Sequence, residues 1–443
     1  MNSDDMSLAA NGEASTPVES PRKLFVETTT RCNLGCFMCV KQSPGRTECE
    51  GDLSPGIFSA LEPVFPYLVA LILNGIGEPL LHSQLEMFIR SAKGRMPPAG
   101  WVGFQSNGLL LDERRAISLV DAGLDKICIS LDAASAEKFR MVRQGGELPA
   151  VAGAFAALSS ARRVCSRPGL QVGIEFVLMR RNMGELPATL RWAAENGASF
   201  AIVTHLLPYD EPHVGEAAYE NCSAEAISLF NRCKKEAKGR GLDINGYLEA
   251  RWKFSRTTRE EELVALVDSM KSEAEMRGIF VDMKKLLQFE PARIDEVVTT
   301  FAKAREVASE TGLDLRLPEL SPSEKRRCNF VEDGSAFINW EGDVSPCYFL
   351  WHRYLCFASG WSQQVQPRVF GNLRQRGMLE IWNDREFRLF REGVLAYDYP
   401  VCSSCTLSPC DYVQTDEFIH DCHIREVPCG SCLWCMGLFH CLR

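Results

Sequence analysis

The segment Thr30-Arg31-Cys32-Asn33-Leu34-Gly35-Cys36-Phe37-Met38-Cys39 decides how this chain is interpreted. It places three cysteines in a CxxxCxxC arrangement directly after an apolar candidate strand, residues 24–30. Three thiolates bind three irons of a 4Fe-4S cube, whereas an ordinary ferredoxin-type cluster uses four thiolates. The fourth iron is then open to another ligand. A zinc site is the alternative for the triplet alone, although zinc prefers four ligands and paired CxxC spacings.

Short apolar runs alternate with longer amphipathic runs from about residue 24 to 207, a pattern typical of repeated βα units around a parallel sheet. Candidate strands cover residues 24–30, 68–74, 101–106, 126–131, 171–179 and 199–206. Helical patterns such as 112–121 and 185–195 lie between them, and Gly123 and Gly197 suit the C-caps of these helices. The sequence therefore predicts an α/β fold, a partial (β/α)6 TIM-like barrel, with a doubly wound open sheet as the alternative. The cysteine triplet would lie at the C-terminal face of the barrel, where active sites form.

Changes in composition divide the chain into four predicted parts. Residues 1–22 are acidic, rich in Ser, Ala and Asn, and lack the apolar stretch of a secretory signal, so a disordered leader is expected. Residues 23–213 form the barrel core, and residues 214–326, charged and helical in period, form a helical insertion or linker. Residues 327–443 are rich in cysteine and aromatic residues, which predicts a small domain held by metal rather than by a large core.

Charge and cysteine content narrow the class of protein. The net charge is -9 and no long Lys/Arg run occurs, so neither nucleic acid nor an anionic membrane is an expected partner. No window approaches the roughly 20 apolar residues of a membrane-spanning helix. The chain is therefore expected to be soluble and cytoplasmic. Without an export signal, the 19 cysteines favour metal ligation over disulfides.

Several motifs follow the triplet in order, and with them residues 24–207 resemble the radical SAM superfamily. Asn74-Gly75-Ile76-Gly77-Glu78-Pro79 is similar to the glycine-rich GGEP motif that holds the methionine amino group of S-adenosylmethionine (SAM). The strand ends Ser106-Asn107-Gly108 and Ser130-Leu131-Asp132 are similar to polar ends that line the SAM pocket. Arg143 is placed like an arginine that pairs with the SAM carboxylate.

The resemblance implies an oxidoreductase or maturase in which Cys32, Cys36 and Cys39 bind a catalytic 4Fe-4S cluster. SAM on the open iron would take one electron and yield a 5'-deoxyadenosyl radical. The implied SAM-binding residues are Gly75, Gly77, Glu78, Ser106, Asn107, Ser130, Asp132 and Arg143. Cys128 is interpreted as a core thiol. No general base can be chosen from the sequence, because its position relative to the substrate is unknown.

The C-terminal region resembles the SPASM domain, which binds auxiliary iron-sulfur clusters. Cys328, the Gly342 to Cys347 segment and the Cys402-Ser403-Ser404-Cys405 pair carry this resemblance. It implies two auxiliary 4Fe-4S clusters with eight ligands: Cys328, Cys347, Cys402, Cys405, Cys410, Cys422, Cys429 and Cys432. Cys356 and Cys435 are interpreted as bystanders, and Cys49 and Cys441 remain unassigned. Two zinc ribbons are the alternative for the CxxC pairs.

The tail from Asp421 to Cys441 is similar to that of a SPASM subgroup regarded as metalloenzyme maturases. The resemblance implies a client protein or peptide, such as a tungsten- or other metal-dependent oxidoreductase, and a reduced flavodoxin- or ferredoxin-type electron donor. One rival is a maturase that acts on sulfatases or forms thioether links in peptides. Sulfatase-maturating relatives place an aspartate where this chain has Tyr348, which weakens that rival. A non-catalytic, zinc-stapled interaction protein is the alternative from another class, and it predicts colourless protein without SAM cleavage.

Overall fold

The computed structural model describes residues 19–44, 49–323, 325–357, 362–397 and 429–442. Most of the predicted leader lies outside these ranges, as do four predicted ligands, Cys402, Cys405, Cys410 and Cys422. The strands are β1 (Lys23–Val26), β2 (Ala70–Ile72), β3 (Trp101–Ser106), β4 (Lys126–Ser130), β5 (Gln171–Leu178), β6 (Phe200–His205), β7 (Asp314–Arg316), β8 (Ser335–Ile338), β9 (Asp343–Ser345), β10 (Tyr354–Cys356), β11 (Gln363–Val365) and β12 (Gly371–Asn372).

The six strands predicted from the sequence are all present and lie side by side. Strands β1 to β7 pair in chain order, each parallel to the next. Every residue of β2 and of β6 is buried. Parallel strands read as continuous apolar runs because helices cover the sheet, and that is why the apolar runs identified them correctly.

The α-helices lie between and after these strands. They are α1 (Pro55–Ser59), α2 (Leu85–Lys93), α3 (Glu113–Ala122), α4 (Ala136–Val142), α5 (Leu148–Val164), α6 (Leu186–Glu195), α7 (Ala224–Gly239), α8 (Tyr247–Trp252), α9 (Thr258–Met276), α10 (Met283–Leu287), α11 (Pro291–Thr311), α12 (Asn329–Glu332), α13 (Met378–Trp382) and α14 (Arg385–Leu395). Helix α3 begins where the Asp112 carboxylate accepts a hydrogen bond from Arg115 N at 2.7 Å. It ends at Gly123, whose φ of 108° is in the left-handed region that glycine adopts readily.

The sheet curls around a cavity instead of lying flat. Asn74, Gln105, Glu175 and Thr204, which lie on or just beyond β2, β3, β5 and β6, line one cavity of about 230 Å³. In a flat sheet β2 and β6 would be about 19 Å apart, four inter-strand spacings, and could not share so small a cavity. Within the described residues, the end strands β7 and β12 do not pair with each other. The fold is thus a partial barrel, as predicted.

The region 214–326, predicted as a helical insertion, divides in two. Helices α7 to α10 surround a separate apolar core between Cys222 and Leu286. Helix α11 instead packs Val297, Phe301 and Ala304 into the main core, and β7 extends the sheet beside β6. The apolar residues of α11 recur at helical spacing within a charged sequence, so the helix is amphipathic and covers the barrel.

The C-terminal region continues the barrel sheet. Strand β8 pairs parallel with β1, and β9 and β12 extend the same sheet in antiparallel pairs to give ten strands. Strands β10 and β11 form a separate antiparallel pair. The two predicted domains therefore share one sheet. No helix in the described ranges is long and apolar enough to cross a membrane.

Candidate iron-sulfur and SAM site

The three cysteines of the CxxxCxxC segment lie together on the loop that follows β1. Cys39 N donates a hydrogen bond to Cys36 O at 3.1 Å, which closes the CxxC turn. The Cys39 thiol in turn accepts from Lys41 N at 3.4 Å and caps a short 3-10 helix, Val40–Gln42. Cys39 interacts electrostatically with both Cys36 and Cys32. The loop thus presents three thiols in one place at the C-terminal end of a barrel strand.

The surroundings of these thiols suit a bound cluster. Burial raises the pKa of Cys39 to about 11, and it raises the pKa of Cys32 and Cys36 as well. A buried thiol forms a thiolate only when a positive charge compensates it, and iron in a cluster supplies that charge. The Arg143 guanidinium, whose Nη1 lies 3.9 Å from Cys36 Sγ, favours the thiolate in the same way.

No group of three or more His, Cys, Asp or Glu side chains within the described ranges is arranged around a single metal ion. The ligands of an iron-sulfur cube bind different iron atoms, so their sulfur atoms do not converge on one point. Three loop thiols that each bind a different iron do not need to converge in this way.

The glycine-rich segment after β2 crosses directly behind the cysteine loop. Gly77 N donates to Thr29 O at 3.2 Å and Glu78 N donates to Arg31 O at 2.8 Å. A Cβ atom on Gly77 would stand 2.3 Å from Thr29 O and 2.5 Å from Arg31 O, both of them backbone atoms. The glycine is needed because no side chain fits between the two segments.

Replacing Gly77 with alanine is expected to separate the glycine-rich segment from the cysteine loop and to lower SAM cleavage at least tenfold, since the obstructing atoms belong to the backbone. The measurement is 5'-deoxyadenosine formation together with iron content. Gly153→Ala is the matched control, because a Cβ there meets nothing within 4 Å and the residue lies inside α5. Equal activity of the two variants would contradict the prediction.

Glu78 binds two other predicted SAM-binding residues, Ser106 and Asn107. One carboxylate oxygen accepts from Ser106 Oγ at 2.8 Å, and the other accepts from Asn107 N at 2.7 Å. The Asn107 side chain then donates to Asn33 Oδ1 at 2.8 Å, within the cysteine loop. Burial raises the pKa of Glu78, and these hydrogen bonds oppose the shift. Glu78 therefore holds the ends of β2 and β3 against the loop.

Asp132 and Arg143 form a buried ion pair that holds the other side of the loop. Arg143 Nε lies 2.6 Å from one Asp132 oxygen, and the other oxygen accepts from Val177 N at 2.7 Å. Burial raises the pKa of Asp132, and the charge of Arg143 opposes that shift. The residues on either side of Arg143 bind the cysteine loop, because the carbonyls of 142 and 144 accept from Phe37 N and Gly35 N. Ser130, at the end of β4, is partly buried and pairs with Glu175 across the sheet.

A second group of thiols lies in the C-terminal region. Cys328, Cys347, Cys429 and Cys432, half of the predicted auxiliary ligands, line one cavity and are all buried. Cys435 lies among them, and its thiol is within hydrogen-bonding reach of Cys328, Cys429 and Cys432. These contacts and burial raise the pKa of each of the three. The position of Cys435 does not agree with its interpretation as a bystander.

The remaining described cysteines are distributed elsewhere. Cys128 is fully buried in the core, in agreement with the sequence. Cys356 is buried on β10, and Cys49 is exposed. Cys441 lines both the C-terminal thiol cavity and the barrel cavity.

Two contacts that the sequence did not predict connect the glycine-rich segment to the C-terminal region. The Glu27 carboxylate accepts from Ile76 N at 2.9 Å and from His352 Nε2 at 3.1 Å. Asn74 Nδ2 donates to the Tyr348 hydroxyl at 2.9 Å, beside Cys347. The sequence marks Glu27 only as an acidic residue within an apolar candidate strand, where an acid is uncommon. Its partner His352 could not be inferred, because it is 325 residues away.

Family models match the segment that contains the CxxxCxxC thiols and the segment that begins at Cys328. Residues 26–193 match the model of the radical SAM superfamily, and residues 328–406 match SPASM, described as an iron-sulfur cluster-binding domain. The chain therefore carries a radical SAM domain followed by a SPASM domain. More particularly, it is an enzyme of that superfamily with a SPASM domain, and its cofactors are a 4Fe-4S cluster, SAM and auxiliary iron-sulfur clusters. The non-catalytic, zinc-stapled alternative is thereby set aside.

Similar proteins fall into full-length and partial matches. The tungsten-containing aldehyde ferredoxin oxidoreductase cofactor-modifying protein of Pyrococcus furiosus is 26% identical over 424 residues, 94% of this chain and 96% of that protein. The probable GTP 3',8-cyclase of Methanococcus maripaludis is 29% identical over 192 residues, 43% of this chain and 60% of its own length. Among solved structures, Streptococcus suis SuiB bound to precursor peptide SuiA has a TM-score of 0.46 and 11% identity, covering 87% of this chain and 69% of that one.

Proposed function

We propose that this enzyme reductively cleaves SAM at a cluster held by Cys32, Cys36 and Cys39 and uses the radical to modify a metalloenzyme client, as a maturase. The observation that carries the proposal is the joint placement of three thiols, the Gly77 backbone and the Asp132–Arg143 pair around one loop. In the proposed site, the cluster supplies one electron and an open iron to which SAM binds. The protein positions both components.

The roles proposed for the SAM-binding residues follow from their contacts. Gly75 lines the barrel cavity, and Gly77 provides the close backbone approach. The carboxylates of Glu78 and Asp132 already accept hydrogen bonds from the protein, so we assign them to positioning the strand ends. Ser130, at the end of β4, is assigned to the SAM pocket, whereas the Asn107 side chain, already bonded to Asn33, is assigned to positioning the cysteine loop. Arg143 pairs with the SAM carboxylate on the side of its guanidinium away from Asp132.

The nature of the client is inferred from the full-length relative. Its name describes modification of the cofactor of a tungsten enzyme, and the similarity covers 94% of this chain. The proposed client is therefore either the metalloenzyme itself or the precursor of its cofactor, with a flavodoxin- or ferredoxin-type protein as electron donor.

The test is anaerobic reconstitution with iron and sulfide, followed by measurement of iron per chain and of 5'-deoxyadenosine formed with SAM and reductant. About twelve irons per chain together with SAM cleavage would support one catalytic and two auxiliary clusters. Iron-loaded protein that forms no 5'-deoxyadenosine would refute the proposed activity.

Cys435 is proposed as a ligand of an auxiliary cluster. Cys435→Ala should lower the iron content by about four irons, the content of one cube, and weaken the visible absorbance of the clusters. Cys222→Ala is the control, because Cys222 is also buried but belongs to the separate core of α7 to α10. The assignment fails if the Cys435 variant keeps its full iron content.

A further inference from the structure

The barrel cavity carries a set of hydrogen-bond acceptors that the proposed handling of SAM does not use. Glu175 on β5 is a single carboxylate in an otherwise mostly apolar strand, and it is partly exposed at the cavity. Met38 and Val40, on either side of Cys39, line the same cavity. The acceptors thus lie beside the cysteine loop, where the radical would form.

A chain of hydrogen bonds fixes which atoms of these side chains donate and which accept. Asn74 Nδ2 donates to Gln105 Oε1 at 2.8 Å and to the Tyr348 hydroxyl at 2.9 Å. Gln105 donates through its side-chain amide to Glu175. The donors of Asn74 are therefore engaged, while its Oδ1 is buried and has no hydrogen-bond partner. A carboxylate has several acceptor positions, so Glu175 keeps acceptor capacity beyond the bond from Gln105.

His205 adds a third acceptor. Its Nε2 lies 2.8 Å from Glu319 O, and since a carbonyl only accepts, Nε2 carries the proton. Nδ1 is then a lone-pair acceptor, and it has no partner. Burial lowers the pKa of His205 to about 4, so the ring is neutral near pH 7. Buried acceptors without partners are uncommon in native proteins, and a ligand or water normally satisfies them.

The rest of the cavity wall indicates the charge and shape of a ligand that would donate hydrogen bonds to these acceptors. None of the described residues that line the cavity is Lys or Arg, so phosphate or carboxylate groups have no counter-charge there. Aromatic side chains supply much of the wall, including Tyr348 and Trp351 with ring centroids 4.9 Å apart. Flat groups with N–H donors stack on such rings.

We propose that this cavity binds the reacting part of the substrate through a planar guanidine-type group, whose N–H donors bind the partly exposed Glu175 carboxylate. Such a group occurs in the aminopyrimidinone ring of pterins and guanine and in the arginine side chain. A guanidine-type edge matches a carboxylate with two parallel hydrogen bonds. This inference rests on the proposed function, because it identifies what the SAM-derived radical would meet.

The state of Glu175 is compatible with this role. Burial raises its pKa to about 7, whereas the hydrogen bond from Gln105 and the charge of Arg143 act in the opposite direction. Two further donors from a ligand would hold the carboxylate ionised.

The test is equilibrium dialysis of the reconstituted, SAM-loaded enzyme against three pairs of probes that differ only in the guanidine-type group. The pairs are guanosine and inosine, 6-hydroxymethylpterin and the corresponding lumazine, and Nα-acetylarginine amide and the citrulline analogue. In at least one pair the guanidine-type member should bind at least tenfold more tightly, because its partner lacks the N–H donors that pair with the Glu175 carboxylate. The pair that discriminates identifies the source as ring or side chain.

Glu175→Gln should remove this discrimination, whereas Glu220→Gln should retain it. Glu220 is a suitable control because burial also raises its pKa and it lies outside the cavity lining. The inference is overturned if no pair discriminates in the wild type, if Glu175→Gln keeps the preference, or if that variant weakens SAM binding as much as probe binding. Failure of the proposed function has a different signature, the absence of 5'-deoxyadenosine from the same preparation.

Discussion

Alanine at Cys32, Cys36 or Cys39 is expected to reduce 5'-deoxyadenosine formation by at least a hundredfold, the largest effect on activity of any substitution in this chain. Each proposed ligand binds its own iron, so the loss of one thiolate leaves the cube without one of its three protein attachments. The remaining thiols cannot compensate, because the open position is required for SAM. The measurement is product formed from SAM and excess reductant after anaerobic reconstitution.

The control for this series is Cys165→Ala, which removes a partly exposed thiol at the end of α5. That variant should retain wild-type cleavage. Substantial 5'-deoxyadenosine from the Cys32/Cys36/Cys39 triple variant would refute the assignment of the catalytic cluster. Iron content should fall only partly in the triple variant, because the C-terminal thiols would still bind their iron.

Arg143→Ala is expected to produce the largest loss of stability, about 3–5 kcal/mol in the free energy of unfolding. The Asp132 carboxylate is fully buried, and removing its partner leaves an uncompensated charge in the core. SAM binding should also be lost, since the proposed partner of its carboxylate is gone. Chemical denaturation of the cluster-free protein measures the first effect, and equilibrium binding of SAM measures the second.

Arg140→Ala provides a comparison on the same helix. Its ion pair with Glu147, at 3.2 Å, is solvent-exposed, so its loss should cost no more than about 1 kcal/mol. Similar destabilisation by the two substitutions would show that the Asp132–Arg143 pair has no special role. Arg143→Lys should recover part of the stability, because it keeps the positive charge, but it cannot place one nitrogen against Asp132 and another near Cys36 as the guanidinium does.

The sequence predicted the chemistry and the barrel because both depend on local patterns. Spacing within ten residues places the thiols of Cys32, Cys36 and Cys39 on one loop, and apolar runs identify the buried strands of a parallel sheet. Glycines such as Gly77 are visible as residues, although the backbone atoms that require them are not. The roles of the individual SAM-binding residues stay predictions, to be tested by the substitutions above.

Contacts between distant segments could not be predicted in this way. Nothing in the spacing of Cys435 distinguishes it from a bystander, because its neighbours include Cys328, more than a hundred residues earlier. The pairing of β8 with β1 and the bond between Glu27 and His352 likewise join opposite ends of the chain.

By itself the sequence determined the class of enzyme, the position of the CxxxCxxC thiols on the loop after β1 and the parallel arrangement of the first six strands, since these follow from short-range spacing and hydrophobic periodicity. Only the tertiary structure decided that the C-terminal region shares the barrel sheet, that Cys435 joins the second thiol group, and that Glu175, Asn74 and His205 line one cavity. The reason is physical: strand pairing and sheet curvature bring together side chains that sequence separation keeps unrelated, and their burial then sets which acceptors and charges need a partner.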